Sequence, residues 1–187
     1  MDKMYGLLEQ YLSEQVALEE QLYSTIDQQL AEVDEKKFAD ARNLLINTKQ
    51  VLEQHFEPLN QMLDKLDQEI LAERKQLQLS NVTNLNGLHH KKDNGISRML
   101  CETYSSLNIV IMSNALLYTT ALALNSEAVA ILALNHLQRL TPLIMKLVEL
   151  LPSVITTELA SLSTGIDPLA GETALKNMKL ALMKAPK

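Results

Sequence analysis

Tryptophan is absent from this 187-residue chain, cysteine occurs once, and glycine and proline occur five times each. Each scarcity excludes something. One cysteine cannot form an internal disulfide, so the fold must rest on its core. So few Gly and Pro cannot supply the many turns of an all-β fold. Aromatic residues make up only 4%, with no basic-aromatic array of the kind that binds single-stranded nucleic acid. The net charge of −6 offers no general attraction to a phosphate backbone. No Gly-rich phosphate loop and no Gly-x-Ser-x-Gly elbow occurs. The first residues lack the basic start and apolar stretch of a signal peptide, so we expect a cytoplasmic protein with neither nucleic acid nor membrane as partner.

Leu, Ala, Met and Gln dominate, and these are helix formers. The charge is uneven. Residues 1–95 hold 17 acidic and 10 basic side chains, and residues 96–187 hold 6 and 7. The longest charge-free run, Thr103 to Ser126, is long enough for a membrane span. Ser105, Ser106, Asn108, Ser113, Asn114, Thr119, Thr120 and Asn125 argue instead for the interior of a helical bundle, since lipid offers such groups no partners. We expect this run to be a central helix, contacted on most sides.

Periodicity predicts four long helices. Helix 1 spans about Lys3 to Ala31, with a stripe of Met4, Leu8, Leu12, Leu22, Ile26 and Leu30. Gln15 and Glu19 fall on the same stripe; the simpler reading puts Glu19 at its edge, in reach of water, and the sharper one turns it inward to serve a polar or metal site, with Glu19 and His55 meeting directly or through water. Residues 32–35 form a short connection with Asp34 as the N-cap. Helix 2 spans about Glu35 to Gln78, with Phe38, Ala41, Leu45, Thr48, Leu52, His55, Leu59, Met62, Leu66 and Ile70 inward. Pro58 predicts a kink beside His55. Residues 80–95 read as an exposed loop, including His89 and His90, long enough to cross a bundle: 16 residues reach up to ~50 Å, and a 27-residue helix is ~40 Å long.

Helix 3 spans about Ile96 to Asn125, with Asn114 on its apolar face. Ser126 is the expected cap of helix 4, which spans about Glu127 to Leu151. Ala128 to Leu134 reads as apolar all round, hence buried on every side. Pro142 should bend this helix and Pro152 end it, with Ser153 to Ser161 as a further short helix. The domain reading is a four-helix bundle over 1–162, then a linker and a short amphipathic helix over 163–187. Cys101 reads as a small core residue, and Tyr104 and Tyr118 as polar-tipped core residues. No residue stands out as catalytic.

Four long helices with a long connection between the second and third resemble the ferritin-like superfamily. Glu19-Glu20-Gln21-Leu22, His55-Phe56-Glu57, the run Ala121 to Leu132 and Leu151-Pro152-Ser153-Val154-Ile155 resemble a bacterial ferritin-like group described as stress-response proteins. That resemblance implies a two-iron site built from a Glu on each of two helices and a Glu-x-x-His on each of the other two. The chain departs from the pattern. The residues three before His55, His89, His90 and His136 are Leu52, Asn86, Gly87 and Ala133, so no Glu-x-x-His exists. Helix 3 offers Val110 and Asn114 in place of a carboxylate.

The remaining candidates are Glu19, His55 and His136, types that a single zinc or iron ion accepts. If the first hairpin turns near position 34, His55 lies six residues from the level of Glu19, ~9 Å away. That exceeds a direct ligand distance unless the Pro58 kink or a stagger of the helices closes it, so the expectation is no cofactor, with a single iron or zinc ion as the alternative. The leading expectation is a degenerate ferritin-like bundle acting by assembly, as a homodimer through helices 3 and 4, or by binding a protein partner. The alternatives are a metalloprotein handling iron or peroxide with unusual ligands, and a helical chaperone or adaptor.

Overall fold

The computed structural model describes residues 2–65 and 95–183. The described residues are all-α: α1 Asp2–Glu32, α2 Ala39–Asp64, α3 Ile96–Ala123, α4 Glu127–Leu162 and α5 Ala170–Met183. Residues 66–94 lie outside the described part, and with them fall the expected end of helix 2 and the loop carrying His89 and His90.

Four helices lie side by side. α1 packs on α2 and α3, α4 packs on α2 and α3, and α5 packs on α4. Gln29, near the end of α1, hydrogen-bonds the Met99 carbonyl and accepts from Thr103, near the start of α3, at 3.2 and 2.6 Å. Leu63, at the end of α2, packs with Leu8, Leu12 and Leu117. So α2 ends and α3 begins at opposite ends of the bundle, as the loop length requires. Neighbouring helices are all antiparallel.

Two apolar clusters fill the interior. One holds Leu22, Ile26, Leu45, Leu52, Leu100, Leu107, Val110, Leu140, Leu143 and Leu147 among others. The second holds Leu8, Leu12, Val16, Leu59, Leu63, Leu117, Ala121, Val129, Ala130 and Ala133. Burying each such Leu contributes roughly 1.5–3 kcal/mol. Between the two clusters the helices turn Gln15, Glu19, His55, Asn114 and His136 inward, each at most 3% exposed.

Turn chemistry departs from expectation in three places. Asp34 does not cap α2; its carboxylate accepts from the backbone N–H groups of Lys36 and Lys37. That turn occupies residues 34–38 and delays α2 to Ala39. Ser126 does not cap α4 with its side chain. Instead α3 closes with Asn125 at φ 55°, Ser126 N–H bonded to the Ala121 carbonyl and Asn125 N–H to that of Leu122, the Schellman arrangement. Pro152 does not end α4, which runs through it to Leu162. A proline forfeits one helical hydrogen bond, and the buried Pro152 regains contact by packing under α5, where its carbonyl would stand 3.1 Å from a Cβ at Gly171.

Burial corrects four further expectations. α3 is not central: it packs mainly on α1 and α4, and leaves Ile109, Met112, Leu116 and Leu122 exposed. α3 alone among the described helices is long and apolar enough to cross a membrane, yet its inward face meets two protein helices. The turn Ala128–Leu134 is not buried all round, since Ile131 is 53% exposed. Cys101 is exposed, and so is Tyr104, because Leu100, Thr103 and Leu107 take the inward positions of that stretch.

The approach of α5 to α4 needs a glycine. A Cβ on Gly171 would lie 2.9 Å from Thr156 Oγ1 and 3.2 Å from Ser153 Cα. Gly171→Leu is therefore expected to lift α5 away and break the 2.8 Å Lys179–Glu149 ion pair. Amide exchange of residues 170–183 should speed up sharply while the unfolding temperature of the bundle stays nearly constant; unchanged exchange there would mean that α5 does not depend on this contact.

Candidate functional site

The polar layer is built around one carboxylate. On α1, Leu8, Leu12, Leu22 and Ile26 set the inward stripe, and helical periodicity carries Gln15 and Glu19 onto it. Glu19 is fully buried and does not reach water, which corrects the edge position expected above. A carboxylate there requires partners, because an uncompensated buried charge costs several kcal/mol.

Each of the other long helices supplies one. His55 on α2 places Nδ1 3.0 Å from Glu19 Oε2. His136 on α4 places Nδ1 3.4 Å from Oε1, an ion-pair distance without the alignment of a hydrogen bond. Asn114 on α3 donates from Nδ2 to the Val110 carbonyl at 3.1 Å and reaches Oε1 at 3.5 Å. Within α1, Gln15 Nε2 donates to Oε1 at 2.7 Å. The two imidazoles stack with centroids 3.6 Å apart and planes 6° apart. At the rim, Arg139 reaches the Gln54 side chain, joining α4 to α2 next to His55.

The expected gap between Glu19 and His55 is thus absent. The turn over residues 34–38 centres on 36 rather than 34, which brings the level of Glu19 closer to His55, and the side chains close the rest, at 3.0 Å. Glu19, His55 and His136 all come together, with candidate ligand atoms within 4.8 Å of one another. What the sequence did not signal is the ring stack, since it depends on the stagger of α4 against α2. Asn114 and Gln15 were legible as polar residues on apolar stripes.

Electrostatics follow from burial and proximity. Burial alone would raise the Glu19 carboxyl; the approach of His136, the bond from His55 and the charge of both rings outweigh it and hold the group at about 2, below its ordinary 4.5. Burial pushes His55 below its ordinary 6.5, against the bond and charge of Glu19 that favour its protonated form. At neutral pH Glu19 is ionised and His55 is neutral. A carboxylate only accepts, so His55 donates from Nδ1 and leaves Nε2 as an acceptor with no partner. Gln15 Oε1, Asn114 Oδ1 and His136 Nδ1 are likewise buried without hydrogen bonds.

A two-iron centre does not fit this set. Such a site draws on about six ligands, most of them carboxylates. Here there is one carboxylate, two imidazoles and two amides, and the positions three before His55 and His136 are the buried Leu52 and Ala133. Comparison with known proteins gives no match to a family model, to a curated protein or to a solved structure.

Two predictions follow from the geometry. Glu19→Ala removes the common partner of two rings and two amides, and should lower stability by ~1–3 kcal/mol, read by chemical denaturation. For pH, both shifts are depressions, so both act in one direction. In metal-free protein, stability present at pH 7 is lost as pH falls below 6.5, where unfolded His55 takes up a proton more readily than folded. A further loss sets in below 4.5 as Glu19 is driven towards protonation near 2. Thermal unfolding scanned from pH 8 to 3 checks this; in Glu19→Gln the carboxylate step should vanish.

Proposed function

We propose that the chain is a ferritin-like four-helix bundle that acts by assembly and has no two-iron centre. The connectivity supports the ferritin-like reading: two antiparallel hairpins, with the chain between α2 and α3 linking opposite ends of the bundle. A degenerate member of the stress-response group named above would keep this frame while its carboxylates are replaced, as they are at Leu52, Asn114 and Ala133.

The observation that carries assembly is the outer surface of the α3–α4 hairpin. Met112, Leu116, Leu122, Ile131 and Met145 are between 47 and 68% exposed, and α3 has no charge beyond Glu102. A cleft of about 380 Å³ lined by Tyr118, Leu122, Ala130, Ile131 and Leu134 opens at the hairpin tip. Apolar patches beyond a few hundred Å² are unusual on monomers. α5 packs on α4, and most of its own residues face outward. A second copy related by a two-fold axis is the simplest cover.

Light scattering at micromolar concentration tests the reading. The expected mass is twice the 21.0 kDa of one chain. Met112→Lys combined with Leu116→Lys, both at exposed positions, should halve it while leaving the helical content unchanged. A wild-type mass near that of one chain overturns the homodimer.

A further inference from the structure

The polar layer points to a ligand of its own, independently of how the chain assembles. We propose that Glu19, His55 and His136 bind one divalent first-row transition-metal ion in the middle of the bundle.

Three observations converge on this. The first is the donor set. One carboxylate and two imidazoles from three different helices are the ligand types that zinc, cobalt and ferrous iron share. The second is spacing. Two ligands on a tetrahedral ion with bonds of ~2.0–2.1 Å stand ~3.3–3.4 Å apart. Glu19 lies 3.0 Å from His55 Nδ1 and 3.4 Å from His136 Nδ1, and the candidate ligand atoms of all three residues lie within 4.8 Å. The helices already stand where an ion needs them, and only side-chain torsions must adjust.

The third observation is independent of the first two. Of the five buried side-chain atoms found without a hydrogen bond among the described residues, four belong to this one layer: Gln15 Oε1, His55 Nε2, Asn114 Oδ1 and His136 Nδ1. Buried polar atoms are nearly always satisfied in native proteins. Three of them, Gln15 Oε1, His55 Nε2 and Asn114 Oδ1, are acceptors, and they lie in a layer that already holds an anion rather than a cation. An acceptor-rich, negatively charged layer is what a cation completes. A divalent ion opposes the buried carboxylate directly, and the amide oxygens of Gln15 and Asn114 can take donors from water on its remaining positions.

The ring stack gives the proposal a structural consequence. For Nδ1 of His55 to ligate, its proton must move to Nε2; the lone pair of a ring nitrogen lies in the ring plane, and an ion midway between parallel rings 3.6 Å apart would sit about 1.8 Å, half that distance, out of each plane. Loading must therefore turn the rings out of the stack. The ligation has room for this because only side-chain rotation is required, whereas a second ion would need carboxylates that the layer does not contain.

The test uses the full chain, stripped with a chelator and titrated with cobalt(II) and then zinc(II). The expected result is one equivalent of cobalt bound, with d–d absorption bands of a low-coordinate N/O site that zinc abolishes. His89→Ala combined with His90→Ala, which removes the adjacent histidine pair elsewhere in the chain, should leave this binding intact. Glu19→Gln keeps the size of the side chain but not its charge, and should weaken binding on the order of 100-fold or more. Should that variant fail to fold by circular dichroism, His136→Gln is titrated in its place, with the same expected loss. The proposal is overturned if the wild-type chain binds no cobalt stoichiometrically, if binding disappears with His89 and His90, or if a folded Glu19 or His136 variant binds as tightly as wild type.

Discussion

A single buried carboxylate constrains this bundle more than any other group. Leucines can slide past one another by a turn and still be buried. Glu19 cannot, because moving any neighbouring helix by one turn, ~5.4 Å, carries His55, Asn114 or His136 out of its reach. The apolar clusters on either side supply most of the burial, but they specify register weakly. The polar layer between them specifies it strongly, at an energetic cost that a fully apolar core would not bear. The same logic explains why the layer draws on all four long helices, with two residues from α1 and one from each of the others: a carboxylate in the core must be surrounded, and each helix can offer only one or two side chains at a given level.

The helices themselves were legible because their apolar residues recur every three or four positions. The boundaries of α1 and α3 fall within a residue or two of expectation. Where the reading failed, a local competitor won. Asp34 was expected to cap α2 and instead bonds Lys36 and Lys37, adding a turn before the helix. That small difference brought the level of Glu19 closer to that of His55. Pro152 was expected to stop α4, yet the helix runs through it, and the residue is buried with its carbonyl facing Gly171 of α5. The sequence carries no direct sign of either outcome, since both depend on which neighbour takes up a freed backbone group.

Inward positions were easier to read than environments. Gln15, Glu19, His55 and Asn114 all stood on apolar stripes in the sequence and are all buried. The mistake was to assume that a lone carboxylate would find water at the edge of its stripe. That assumption treats each helix separately, whereas α2, α3 and α4 each bring a polar group to the same level. The opposite error befell α3 and α4. Their lack of charge was taken as complete enclosure, yet each helix of a four-membered square meets only two neighbours along most of its length. The uncharged outer faces are therefore surface of the described helices, and their apolar character is no sign of burial in the core.

The composition of the polar layer bears on both proposals at once. A pair of irons draws several carboxylates into the core, because two divalent ions bring four positive charges that must be balanced there. This layer carries one negative charge, with amides at Gln15 and Asn114 and aliphatic groups at Leu52 and Ala133 where further acids could stand. That charge suits one divalent ion better than two. A single ion held by α1, α2 and α4 would tie three helices together at the level where the carboxylate already sets their register. Such an ion would act on the frame as a whole, and the apolar α3–α4 surface that the frame presents would be held in one arrangement by the same contacts.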